Sequence, residues 1–258
     1  MGRFLIVSKI DRLDEYEQLA KQYSVGFEIN DFYNPAILDD EKRLDEWISV
    51  YGKRGIPAQS TMHGAFLDVV VISEDDQIRR ISENRMRQSM EIARRLGVKG
   101  VVFHTNSNPV LSGEAYDARV VQYVSAYVEK LLQAFPEMDI YLENMFDADP
   151  QILQRISERL CTYTNYGVCL DYAHASISDT PIEVWVDALA PYICHVHIND
   201  NDLKKDLHQA VGNGRIDWKR FAAYYQQFFS DCTVLVETTL PENQRKSLDY
   251  LRDVLGLL

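Results

Sequence analysis

The chain has 258 residues, 46% of them hydrophobic and 26% charged, an ordinary composition for a soluble globular protein that leaves one large α/β barrel and two small domains both open. Its 27 Lys and Arg against 39 Asp and Glu give a net charge of −12, a field that repels nucleic-acid phosphates at long range and argues against a nucleic-acid partner. No apolar run approaches the ~20 residues a membrane-spanning helix needs, so no membrane partner is expected.

The first apolar run, Phe4-Leu5-Ile6-Val7, follows one basic residue and has no small-residue cleavage site. It reads as a first strand and not as a secretory signal, so a cytoplasmic location is the expectation. From there short apolar segments alternate with longer amphipathic or charged ones. The strand candidates are residues 4–8, 25–30, 58–63, 100–104, 139–143, 167–171, 193–197 and 233–237. The helical candidates are residues 11–22, 39–51, 75–96, 113–133, 149–161, 181–189, 217–229 and 241–254, with start signals at Asp39/Asp40, Pro181 and Asp217. Repeated strand-then-helix units imply parallel strands, and eight of them imply a closed (β/α)8 TIM barrel, read as one domain over residues 1–258 because no linker or composition shift interrupts the rhythm. An oligomer is possible on this reading, its state left open.

The four cysteines, Cys161, Cys169, Cys194 and Cys232, are far apart and form no C-x-x-C pair, so buried reduced thiols are expected and not a zinc knuckle or redox motif.

In such a barrel the C-terminal strand ends carry the chemistry. Those of strands two to eight are Glu28, His63, His104, Glu143, Asp171, His197 and Glu237. Any one of them alone is ordinarily a solvated or hydrogen-bonded group, but seven at equivalent positions converge on one mouth. All six histidines, His63, His104, His174, His195, His197 and His208, fall at or just beyond strand ends. His195 and His197 are two residues apart and so share a strand face. Asp206-x-His208 follows in the next loop, where Gly212 and Gly214 permit a tight turn before a helix that Asp217 caps.

Glu143, Asp171, His197 and Glu237 form an oxygen-and-nitrogen set suited to Zn, Mn, Mg or Co. His63, His104, His174, Asp206 and His208 either add metal positions, for one to three ions per chain, or orient the ligands. His195 is expected to pack or to orient its neighbour. Glu28 is expected to bind a substrate hydroxyl, and Lys204 with Lys205 a substrate phosphate; an exposed acid and solvated lysines are the plainer alternatives. Phe32, Tyr33, Phe66, Phe146 and Tyr172 stand near the mouth, as a wall against a sugar ring or as packing. The Gly212-Asn213-Gly214 turn lacks the third glycine of a dinucleotide site.

Glu143-Asn144-Met145-Phe146, Cys169-Leu170-Asp171-Tyr172-Ala173-His174, His195-Val196-His197-Ile198-Asn199-Asp200 and Gly212-x-Gly214-x-Ile216-Asp217-Trp218 together resemble the xylose isomerase-like TIM-barrel superfamily. That group holds sugar phosphate isomerases and epimerases, ketose 3-epimerases, and AP endonucleases (family 2) of the endonuclease IV type. The resemblance covers most of the chain, most strongly from Val101 onward.

Similarity to the ketose 3-epimerases implies a single metal on Glu143, Asp171, His197 and Glu237, the two glutamates also transferring protons and His174 contacting substrate. The arginine expected after the strand-seven histidine is absent; Asn201-Asp202-Leu203-Lys204-Lys205 stands there. Similarity to endonuclease IV implies a three-zinc set of His63, His104, Glu143, Asp171, His174, His197, Asp206, His208 and Glu237. The expected function is a metal-dependent isomerase or epimerase of a small sugar, polyol or sugar phosphate, with Glu143 and Glu237 catalytic. The alternatives are an endonuclease IV-like zinc phosphodiesterase and a non-catalytic metal- or sugar-binding barrel.

Overall fold

The computed structural model describes residues 3–66, 68–108, 110–111 and 113–258; Met1 and Gly2, at the head of the N-terminal run, lie outside the described residues. Eight strands pair side by side in chain order, all parallel: β1 (Phe4–Ser8), β2 (Gly26–Ile29), β3 (Thr61–His63), β4 (Gly100–His104), β5 (Asp139–Glu143), β6 (Tyr166–Asp171), β7 (Ile193–Ile198) and β8 (Thr233–Val236). Phe4 and Ile6 of β1 lie beside Val234 and Val236 of β8, which closes the ring into a (β/α)8 TIM barrel.

Around it run α1 (Leu13–Tyr23), α2 (Pro35–Leu38), α3 (Glu41–Arg54), α4 (Asp76–Leu96), α5 (Glu114–Ala134), α6 (Gln151–Leu160), α7 (Tyr172–Ile177), α8 (Ile182–Leu189), α9 (Trp218–Tyr224) and α10 (Pro241–Asp253). The start signals work as capping chemistry dictates. The Asp40 carboxylate accepts from Arg43 N at 3.1 Å, Asp75 from Gln77 N at 2.7 Å and Asp217 from Arg220 N at 3.1 Å, each satisfying an otherwise orphaned N–H. No helix among the described residues is long and apolar enough to cross a membrane.

The period-two alternation of a strand sorts every side chain to the inside or the outside of the ring. Phe4 and Ile6, Phe27 and Ile29, Met62, Val101 and Phe103, Ile140 and Leu142, and Val196 and Ile198 all join the apolar layer between sheet and helices. Their neighbours point inward, where Leu5, Val7 and Leu235 form one small apolar cluster and Val102, Tyr141 and Cys169 another. The remaining inward positions are polar and buried: Glu28, Thr61, His63, His104, Glu143, Asp171, His195 and His197. Burying this many ionisable groups in the barrel costs stability unless they are paired or coordinate a cation, so the polar layer marks where the chain gives up stability for function.

Cys169 and Cys232 are buried as expected, but Cys161 and Cys194 are exposed, and all four are free thiols. Cys194 is the extra residue where β7 shifts register against β6, and at the N-terminal end of the barrel a cavity of about 680 Å³ leaves it open to solvent.

Candidate metal centre

The site is assembled by the last inward residue of several strands and by the loops that follow them. Glu143 ends β5 at the centre of the group, fully buried, and its two carboxylate oxygens face in different directions. Oε2 lies 3.3 Å from His104 Nε2 and 3.8 Å from His63 Nε2, and these two imidazole nitrogens are 3.2 Å from each other. His63 donates Nδ1–H to the Gly64 carbonyl at 3.0 Å, which leaves the Nε2 lone pair aimed at this gap. Oε1 lies 3.4 Å from His197 Nδ1 and 3.7 Å from His174 Nδ1.

Asp171 ends β6 and caps α7, accepting from His174 N at 2.7 Å through Oδ1. Its other oxygen is 3.3 Å from His174 Nδ1, so one residue both starts the short helix and fixes where its histidine stands. Asn144 clamps the same strand end by exchanging two hydrogen bonds with the Asp171 backbone, at 3.0 and 2.9 Å. Glu237, just past β8, reaches within 3.8 Å of both His197 Nδ1 and His208 Nδ1.

The loop after β7 brings in the last two residues. Asp200 is fully buried, and its carboxylate accepts four hydrogen bonds: from Asn201 N at 2.9 Å, Ile216 N at 3.2 Å, Gly212 N at 2.9 Å and Trp218 Nε1 at 2.7 Å. An antiparallel bridge between Asp200 and Gln209 adds two backbone bonds of 2.9 Å. Gly212 takes φ +89°, which favours glycine, and a Cβ on Gly214 would sit 2.3 Å from both Asn201 O and Asp200 Oδ1. The loop so gathered places Asp206 Oδ2 3.0 Å from His208 Nε2 and 3.4 Å from His174 Nε2.

Four groups of donor atoms result among the described residues, each within 4.8 Å of one another: at the mouth His63, His104 and Glu143; Glu143, Asp171 and His197; and His174, Asp206 and His208; and, one inward position deeper, Cys169, His195 and His197. Glu143 belongs to the first two groups at the mouth, Asp171 joins the second to the third through its contact with His174, and His197 is shared with the deeper group. Many of these atoms are buried with no hydrogen-bond partner: both oxygens of Glu143, Asp171 Oδ2, Asp206 Oδ1, His174 Nε2 and both ring nitrogens of His197. Orphaned buried acceptors are costly, and their concentration at one point, with hard oxygen and imidazole character, fits one or more divalent cations.

The electrostatics agree. Burial pushes Asp171 above its ordinary carboxylate range, and burial does the same to Glu237, with Asp171 and Glu143 adding to it. Glu143 resists the same burial because His197 and His104 hold it well below that range. Burial and the neighbouring His104 push His63 down to about 4, which leaves it neutral and able to coordinate. His208 is pushed up to about 10 against its burial, by Asp206 and Glu237. Glu143 is thus held as an anion by the imidazoles around it while Asp171 and Glu237 are pushed toward their neutral forms, and a divalent ion would favour the anion of all three.

A cavity of about 250 Å³ opens over the group. Tyr33, Phe66 and Phe146 wall it, with Tyr33 and Phe66 rings 4.9 Å apart, while Phe32 and Tyr172 are buried in the core instead. Met145 of the Glu143–Phe146 motif also lines it, as do Lys9, Asn30 and Thr239, to which no sequence motif pointed. Two residues expected to contact substrate do not line this cavity. Glu28 does not reach the cavity: it lies opposite Thr61 on β3, one inward position below His63, and is fully buried. Lys204 is exposed on the outer loop and does not line the cavity either.

Fold and site together define a TIM barrel whose C-terminal mouth is built to gather carboxylates and imidazoles around a small cavity. The xylose isomerase-like TIM barrel family model matches residues 18–254, and the chain belongs to that family. Among curated relatives it is 24% identical over 208 residues to the uncharacterized protein MJ1311 of Methanocaldococcus jannaschii, covering 76% of this chain and 70% of that one. It is also 24% identical over 216 residues to a probable endonuclease 4 of Halorhodospira halophila, covering 74% and 71%. Among solved structures, the TTHB071 protein of Thermus thermophilus, soaked with ZnCl2, superposes with TM-score 0.81 at 22% identity over 99% and 98% of the two chains. A D-tagatose 3-epimerase-like protein gives 0.78 at 20% identity over 99% and 98%, and endonuclease IV of Thermus thermophilus gives 0.67 at 18% over the full length of both. The D-tagatose 3-epimerase-like protein and endonuclease IV thus share this chain's fold, and the likeness in structure is one of fold.

Proposed function

We propose that the protein is a divalent-metal phosphoester hydrolase acting on a small soluble substrate such as a sugar phosphate. The observation that supports this reading is the convergence of three donor groups at the mouth, with Glu143 shared by two of them, where proton transfer at carbon needs only one. His63, His104 and Glu143 would hold one ion, Glu143, Asp171, His197 and Glu237 a second, and His174, Asp206 and His208 a third. When bound, such ions supply Lewis-acid stabilisation of charge developing on phosphoryl oxygens and a potent nucleophile at neutral pH. The protein's own part is to fix the donors on rigid strand ends, to keep the two Glu143 oxygens divided between neighbouring groups, and to limit water through the aromatic wall.

Substrate size follows from the cavity and its charge. A volume of about 250 Å³ suits a small molecule, and Lys9 is the one Lys or Arg among the described residues lining it. A polynucleotide would call for several cations along its path, and the net charge of −12 opposes it. The zinc-loaded protein is therefore expected to hydrolyse p-nitrophenyl phosphate or bis(p-nitrophenyl) phosphate, and no hydrolysis of either refutes the reading. Lys9→Met is expected to raise KM for the dianionic monoester about tenfold, the loss of roughly one half-buried charge contact, with kcat changed by less than about threefold. Steady-state kinetics check this, and an unchanged KM contradicts it.

A second reading, the metal-dependent sugar isomerase or epimerase, has its own support. Glu143 and Glu237 both approach His197 Nδ1, at 3.4 and 3.8 Å, and so flank a single ion position as a proton-transfer pair would. Incorporation of solvent deuterium into a ketose, without phosphoester cleavage, selects that reading.

A further inference from the structure

Glu28 is the fully buried carboxylate that the chemistry above leaves unused. It sits inside the barrel beneath the donor groups, and its contacts are specific. Oε2 accepts from Thr61 Oγ1 at 2.7 Å and pairs with His195 Nε2 at 3.2 Å, while Oε1 lies 3.2 Å from His197 Nε2. A carboxylate can only accept, so His195 turns a protonated Nε2 toward it, while Oε1 and His197 Nε2, each buried without a hydrogen-bond partner, face each other at that distance. For His195 the consequence is already visible, because its Nδ1 is left to accept from the Thr233 hydroxyl, 2.5 Å away. A histidine binds an ion as neutral imidazole through one nitrogen, and with Nε2 set against Glu28 the nitrogen left for an ion is Nδ1. That atom has no hydrogen-bond partner and faces Glu143 Oε1 at 3.4 Å and Glu237 Oε2 at 3.8 Å.

We propose that Glu28 is a positioning residue that holds His197 with Nε2 protonated and Nδ1 turned to the central ion, and that Thr61, His195 and Thr233 hold Glu28 in turn. The proposal rests on the metal reading of the site. The four residues come from β2, β3, β7 and β8, so a hydrogen-bonded chain across the barrel interior fixes one ring against rotation. A carboxylate behind a ligating histidine also makes the imidazole a stronger donor, and removing such partners commonly costs about ten- to a hundred-fold in metal affinity.

The test combines zinc titration with nitrogen-15 spectra of the histidine rings in wild type, Glu28→Gln and Glu28→Asp. In zinc-loaded wild type, His197 is expected to show a protonated Nε2 and a zinc-bound Nδ1. Glu28→Gln is expected to weaken the ion at Glu143, Asp171 and His197 by about ten- to a hundred-fold, leaving the outer ions within about threefold, and Glu28→Asp is expected to recover part of that loss. Zinc on His197 Nε2, or equal central-ion affinity in a folded Glu28→Gln, overturns the role of Glu28 while leaving the metal reading intact. Should Glu28→Gln fail to fold, the wild-type spectrum and Glu28→Asp decide the matter. A wild type that takes up no zinc overturns both.

Discussion

Glu143→Gln is expected to lower kcat by about a thousandfold or more while leaving the metal-free fold intact. The reasoning is geometric. Glu143 turns one oxygen to His63 and His104 and the other to His197 and His174, so a single neutral amide deprives two donor groups of their shared anion. An amide also presents N–H donors to imidazole nitrogens that must keep their lone pairs for coordination. The change is nearly isosteric, so packing is preserved, and circular dichroism of the metal-free variant should match wild type. Zinc linkage separates loss of metal from loss of chemistry. An ion at a thousand times its dissociation constant stabilises the wild type by ~4 kcal/mol, or roughly 8–16 °C in Tm for a chain of this size. Calorimetry of Glu143→Gln should show most of that shift gone. Activity within tenfold of wild type would remove Glu143 from the centre.

The second large effect falls on stability. Asp200 touches none of the proposed ions, yet Asp200→Ala should destabilise the protein by about 3–5 kcal/mol. Its carboxylate satisfies Asn201 N, Ile216 N and Trp218 Nε1 in buried bonds, where these donors have no water to turn to, and Gly212 N in a partly buried one. The same bonds fold the loop that presents Asp206 and His208. The variant should therefore also lose the ion at His174 before the others, and its Tm should stand well below wild type with or without zinc. A urea-unfolding difference under about 1 kcal/mol would show that the loop is held by other means.

Much of this was legible in the residues, and the failures have physical causes. β1, β4 and β5 fall where alternation and apolar runs put them, because a strand buried on both faces has few other conformations open to it. α2 and α7 escaped notice because helices of four and six residues hold too few turns to show a period. α7 depends on Asp171, whose capping role is hidden by its position as a strand end. β3 is only three residues long, its start before Thr61 being loop.

The site was legible because chemistry concentrates at strand ends, and six of the seven strand-end residues do meet there. Glu28 stops short of the cavity through register: it pairs with Thr61, so the residue level with His63 is Asn30, just past the end of β2, which does line the cavity. One residue pair along a strand is the difference between touching substrate and lying beneath the metal layer. Lys9 was passed over because β1 ends in Ser8 and offers no ligand, yet the residue just beyond it reaches the cavity. Lys204 and Lys205 drew attention by charge alone, and charge in a loop carries no direction.

The most direct test is metal stoichiometry. The protein is loaded with zinc, dialysed, and measured by elemental analysis against protein concentration. About three ions per chain, falling to about two in His208→Gln, is the expected result. One ion or none contradicts the three-ion account, and a single ion removed by Glu237→Gln would turn the site back to proton transfer at carbon.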